Sequence, residues 1–99
     1  MSIDYATFNV ADYLDNEEVI AEFLSAAAED ENPDVLLRAI AETAKARGVA
    51  AVAKKAGLGR ESLYKTLAPG AHPRFETVSA IVRALNMRLA LVPTRTGSE

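Results

Sequence analysis

VAAVAKKAGLGRESLYKTL, residues 49–67, carries two short helical patterns on either side of Gly57. Val52, Ala53 and Ala56 give the first a small apolar stripe, and Leu63 and Leu67 give the second its own. Ala53 is small enough for the second helix to cross close over the first. Gly57 follows four residues later, where a tight turn needs a positive φ that glycine adopts without strain. Leu58 is placed to plug the gap between the helices and Leu63 to anchor the second one. These are the requirements of a helix-turn-helix, expected at about 49–67. The outward positions on or near the N-terminal half of the second helix are then Arg60, Glu61, Ser62, Tyr64 and Lys65, the set that enters the major groove in this motif. Arginine addresses guanine edges, glutamate the cytosine amino group, and serine either a base or a phosphate. Lys54 and Lys55 on the first helix, with His72 and Arg74 beyond the second, are placed to meet phosphates. Tyr64 is open to two readings, contact with DNA or support of the helix from a partly buried site. A plain helical corner would share the small residue and the glycine, but has no reason to be surrounded by cations.

Toward the N-terminus, Asp15 and Glu18 read as a capping box, and Val19, Ile20, Phe23, Leu24 and Ala27 follow at helical spacing. A helix is expected from about 16 to 28, ended by Glu29-Asp30-Glu31. Asn32-Pro33-Asp34 starts the next: Asn caps, Pro takes the first position, and Asp suits the positive end of the dipole. Leu36, Leu37, Ile40, Ala41 and Ala44 form its buried stripe, and Lys45 and Arg47 occupy the last turn before Gly48. The third helix is expected from about Val49 to Ala56 and the fourth from about Arg60 to Leu67. Beyond a loop over 68–73, a fifth places Phe75, Val78, Ile81, Val82 and Leu85 on one face. Met87 to Val92 alternates up to Pro93 and reads as a strand. The expected fold is therefore mostly α, with five short helices and one C-terminal strand. That strand has no clear partner in the chain apart from Thr7 to Val10, and a lone edge of unpaired amides is unstable in water. Pairing with its two-fold copy makes a homodimer and sets two recognition helices side by side.

The net charge of −3 conceals an uneven distribution. Residues 1–37 hold ten Asp and Glu and no Lys or Arg, whereas residues 38–99 hold all eleven Lys and Arg and four Glu. Opposite charge on the two halves suits two partners of opposite charge; two solvated faces that neutralise each other are the plainer alternative. The split divides the chain into an acidic segment, 1–37, and a DNA-binding and dimerisation part, 38–99. No apolar run approaches the roughly 20 residues of a membrane helix, and the N-terminus lacks the basic start and apolar stretch of a signal peptide. Without cysteine, disulfides and thiolate metal sites are excluded. A cytoplasmic chain with no cofactor and no metal site is expected. One histidine, no cysteine and carboxylates gathered at helix caps and ends supply no catalytic constellation, so an enzyme is not expected.

The run KKAGLGRESLYKTLAPGAHPRFETVSAIVRALNMRLALVP, residues 54–93, resembles the C-terminal half of the HigA-like addiction-module antidote family. The likeness lies in the glycine turn, Leu-Tyr-Lys-x-Leu, a Gly/Pro loop, Pro-x-Phe-x-Thr and Leu-x-x-Arg-Leu. Phe8-x-x-Ala11-x-Tyr13-Leu14 and the acidic helix after it resemble the N-terminal half. The resemblance implies a type II antitoxin with an Xre-type helix-turn-helix that represses its own operon by binding operator DNA. It also implies a partner toxin of the RelE/ParE type, a small basic ribonuclease. Many Xre-type motifs begin with Gln where this chain has Val49-Ala50, and the family's loop has Gly-Asn where this chain has Ala71-His72. The acidic half is a fitting complement to a cationic ribonuclease. Charge governs encounter and register more than affinity, so apolar anchors are needed as well. Phe8, Tyr13, Glu17, Glu18, Glu22 and Phe23 are the candidate toxin contacts, with Phe8 and Tyr13 otherwise read as staples of the first helix. The alternative is a stand-alone Xre-type transcription regulator without a toxin, which leaves the acidic residues without a task.

Overall fold

The computed structural model describes residues 16–94. Within them the chain is mostly α, with α1 at Glu17–Ala28, α2 at Pro33–Arg47, α3 at Val49–Ala56, α4 at Arg60–Thr66 and α5 at Phe75–Ala84. The two long N-terminal helices owe their starts to asparagine. Asn16 is extended (φ −123°, ψ 130°), and its side-chain oxygen accepts from the N–H groups of Glu18 at 2.8 Å and Val19 at 3.2 Å. The cap thus sits one residue later than the expected Asp15, which lies outside the described residues. The helix begins at Glu17, and the side chain just before it is the one that reaches the first free amides.

At α2 the expected arrangement is found: Asn32 accepts from Asp34 N–H at 2.9 Å and Pro33 takes the first helical position. With Asn32 capping, the Asp34 carboxylate serves a distant group. Both its oxygens accept from Gly70 N–H, at 3.1 and 3.2 Å, which ties the loop after α4 to the start of α2.

One core joins all five helices. Ile20 and Leu24 of α1 meet Leu37, Ile40 and Ala44 of α2, Val52 and Ala53 of α3, Leu63 of α4, and Ile81 and Val82 of α5. α1 packs on α2, α2 on α3, and α3 on both α4 and α5. Thr43 is fully buried among them, and its hydroxyl donates to the Ala39 carbonyl at 2.9 Å, so its polarity is satisfied inside its own helix. The change of charge sign at residue 38 falls inside α2, and both halves contribute to the same core.

One expectation needs correction, and another finds no partner strand among the described residues. Phe75, expected on the buried face of the fifth helix, is 73% exposed. It is the first residue of α5 and lies almost two turns before Ile81 and Val82, where the core closes. Met87 to Val92, expected as a strand, forms none among the described residues. A strand exists through its ladder, and no other strand among them stands ready to pair with it. Leu91 is left fully exposed and Val92 nearly so. Thr7 to Val10, the competing partner, lies outside the described residues.

Candidate nucleic-acid interface and acidic face

α3 turns into α4 through Gly57-Leu58-Gly59. Gly57 is left-handed (φ 76°, ψ 27°); its N–H donates to the Lys54 carbonyl at 3.1 Å, and Leu58 N–H donates to the Ala53 carbonyl at 2.8 Å. This Schellman pair satisfies the last carbonyls of α3 and redirects the chain within three residues. Ala53 and Leu63 are buried, and Leu58 packs partly buried against the same core. With Leu63 and Leu67 turned inward, Arg60, Glu61, Ser62, Tyr64 and Lys65 are all exposed, Tyr64 at 47%.

The cations around this corner are exposed and largely without partners. Among the described residues, no carboxylate lies within 4.0 Å of Lys54, Lys55, Arg60 or Lys65. Arg74 meets Glu76 only at 4.0 Å, with both side chains open to water. Lys65 from α4, His72 from the loop and Arg74 before α5 line one open depression of about 420 Å³, together with Thr66 and Thr77. The Asp34–Gly70 link fixes the loop on which His72 rides. Exposed cations and hydroxyls around a shallow hollow are chemistry for a polyanionic backbone.

α1 offers the opposite surface. Glu17, Glu18 and Glu22 are exposed and Phe23 is half-buried, while Phe8 and Tyr13 lie outside the described residues. Glu17 is engaged within the fold. It accepts from the Asn86 side-chain amide at 3.1 Å and stands 3.9 Å from the Arg47 guanidinium. Between α1 and α2 runs a cleft of about 500 Å³, with Phe23, Ala26 and Ala27 on one wall and Val35, Arg38, Ala39 and Glu42 on the other.

The sequence profile of a family described as probable addiction module antidote proteins matches residues 4–93. The chain belongs to this family. A relative from Haemophilus influenzae, described as an uncharacterized protein, is 35% identical over 88 residues, covering 89% of this chain and 91% of the relative. No solved structure matches the chain. Membership supports an antitoxin role and implies, in general, a toxin partner.

In this antidote the residues read from the sequence fall into two groups. Arg60, Glu61, Ser62, Tyr64 and Lys65 share α4, with Lys54 and Lys55 on α3 leading into the same corner, while Glu17, Glu18, Glu22 and Phe23 share α1. The α2 wall of the cleft, Val35, Arg38 and Ala39, was not singled out from the sequence, nor were the long-range links of Asp34 and Asn86. Spacing on α2 was the available signal, since Val35, Ala39 and Glu42 fall on one helical stripe beside the core stripe. Among the described residues, no group of three or more His, Cys, Asp or Glu could hold a metal ion, and no helix is long and apolar enough to cross a membrane.

Proposed function

We propose that the chain is a type II antitoxin that neutralises a RelE/ParE-like toxin and represses its own operon. It binds operator DNA through residues 49–67, a helix-turn-helix of the Xre type as in HigA-like antidotes. The observation that carries this reading is the facing of α4: Leu63 is buried, and Arg60, Glu61, Ser62, Tyr64 and Lys65 are exposed beside unpaired cations. Arg60, Glu61 and Ser62 read base edges, while Lys54, Lys55 and the hollow holding Lys65 and Arg74 take phosphates. The acidic half serves the toxin. The protein works by binding, without a catalytic step, in the cytoplasm.

Operator binding is by a homodimer. The exposed Leu89, Leu91 and Val92 support pairing of residues 87–92 with their two-fold copy, which would supply the missing ladder and cover apolar side chains. Removing residues 87–99 should give a monomer by sedimentation; a truncated protein that stays dimeric refutes this assembly. The operator should be a palindrome with half-sites about 34–36 Å apart, or a multiple. On DNA from upstream of the protein's own gene, Arg60→Ala should cost about 1–3 kcal/mol and relax sequence preference. Lys55→Ala should weaken all DNA alike and flatten the salt dependence. Wild-type affinity in Arg60→Ala would mean that α4 is not the reading helix.

A further inference from the structure

The cleft between α1 and α2 shares no lining residue with the candidate DNA contacts, and its make-up sets it apart from the rest of the surface. Its walls are apolar: Phe23 half-buried against the core, Ala26 exposed, Val35 37% exposed and Ala39 buried at the back. The space of about 500 Å³ is open to solvent and large enough for a bulky side chain. The two rims differ in charge. On α1, Glu18 and Glu22, with Glu29 at its C-cap, fall on one face at helical spacing beside Ala26. All three are exposed and, among the described residues, stand in no ion pair. On α2 the rim is Arg38 with Glu42, which is already 3.9 Å from Lys45. No Lys or Arg occurs before Arg38.

An apolar trough with a free acidic rim on one side selects a particular partner. It accepts an aromatic or branched aliphatic side chain, and it favours lysine or arginine on the partner surface that lies over α1. The same rim repels nucleic acid. We infer that this cleft is where the toxin docks: a basic protein that seats an apolar anchor between Phe23 and Ala26 of α1 and Val35 and Ala39 of α2, with its cations facing Glu18, Glu22 and Glu29. The inference rests on the antitoxin reading and gives it a location. Burial of the anchor supplies the slow dissociation, and the acidic rim supplies fast encounter. Glu17 contributes less than its neighbours because Arg47 and Asn86 already hold it.

The test uses the full chain and, as probe, a purified toxin encoded beside its gene, with affinity read by calorimetry and association by stopped-flow. Ala26→Trp places a large ring across the cleft from an exposed position and should weaken toxin binding at least tenfold. Glu22→Lys should slow association and reduce its salt dependence. Ala21→Trp, exposed on the opposite side of α1, should bind as wild type. Melting by circular dichroism checks that all three variants fold. Wild-type affinity in Ala26→Trp, or an equal loss in Ala21→Trp, overturns the cleft assignment and leaves the antitoxin reading intact. A variant Ala26→Trp that dissociates the dimer while keeping its toxin affinity overturns it in favour of a second copy as occupant. Failure of the wild-type chain to bind the toxin at all overturns the antitoxin reading itself, and this inference with it.

Discussion

α1 and α3 each bury one apolar stripe in the common core, yet the surface of α1 carries Glu18 and Glu22 where that of α3 carries Lys54 and Lys55. The stripes differ in bulk as well. α3 contributes Val52 and Ala53, small enough for α4 to turn back over it within three residues. α1 contributes Ile20 and Leu24, with Phe23 and Ala27 spilling beyond the stripe, and an open cleft remains between it and α2. Side-chain size at the buried positions thus separates a closed corner from an open groove, while the exposed positions are free to take either sign of charge. Burial constrains what a position can be; charge on the outside is left to partner choice.

The contrast of surfaces would lose its meaning if the two halves were separate folding units. Ile20 on the acidic side and Leu63 on the basic side are both essentially inaccessible, and both belong to one cluster. Ile20→Ala and Leu63→Ala should each cost about 2–5 kcal/mol, the usual range for emptying a well-packed site. Each should lower a single thermal transition, and amide exchange in Ile20→Ala should quicken in α3 and α5 as much as in α1. Two resolved transitions, or exchange that rises only in α1, would break the single core into two parts. The charge boundary at residue 38 would then be a domain boundary.

Most of the helical framework was legible because its signals are local. Asn32-Pro33 starts α2, Gly48 separates it from α3, and Gly57 ends α3, each by a backbone requirement contained in two or three residues. The outward set on α4 was legible for the same reason, since one buried Leu63 fixes which way its neighbours face. What escaped were relations across the chain. Asp34 reads as a dipole-favouring residue of a first turn, and its bond to Gly70, thirty-six residues away, has no local sign. Asn86 binds Glu17 over sixty-nine residues in the same way. Phe75 follows the helical period of the core yet lies beyond it, because periodicity gives direction but not how far along a helix the core extends. Residues 87–92 alternate like a strand, but a strand is a property of two segments, and the alternation names only one.

A smaller effect sharpens the comparison at the two helix ends that share a Schellman pattern. Gly57 ends α3 with φ 76°, and Asn86 follows α5 with φ 64°, its N–H donating to the Arg83 carbonyl at 2.9 Å and Met87 N–H to the Val82 carbonyl at 3.1 Å. The first uses glycine and touches nothing: a Cβ there would meet no atom within 4 Å. Gly57→Ala therefore costs only the left-handed backbone, about 1–2 kcal/mol. The second uses the L-residue that tolerates this region best and adds an exposed side-chain bond to Glu17 at 3.1 Å. Asn86→Gly loses that exposed hydrogen bond to a carboxylate, about 0.5 kcal/mol, and relieves the backbone by a similar amount. The two terms nearly cancel, so Asn86→Gly should leave the urea midpoint almost unchanged while Gly57→Ala lowers it. Asn86→Ala, which adds backbone strain because alanine tolerates this region less well than asparagine and also loses the bond, should match Gly57→Ala. If Asn86→Gly costs as much as Gly57→Ala, the Glu17 contact is worth far more than an exposed pair, and the start of α1 is held to the end of α5 by that one bond.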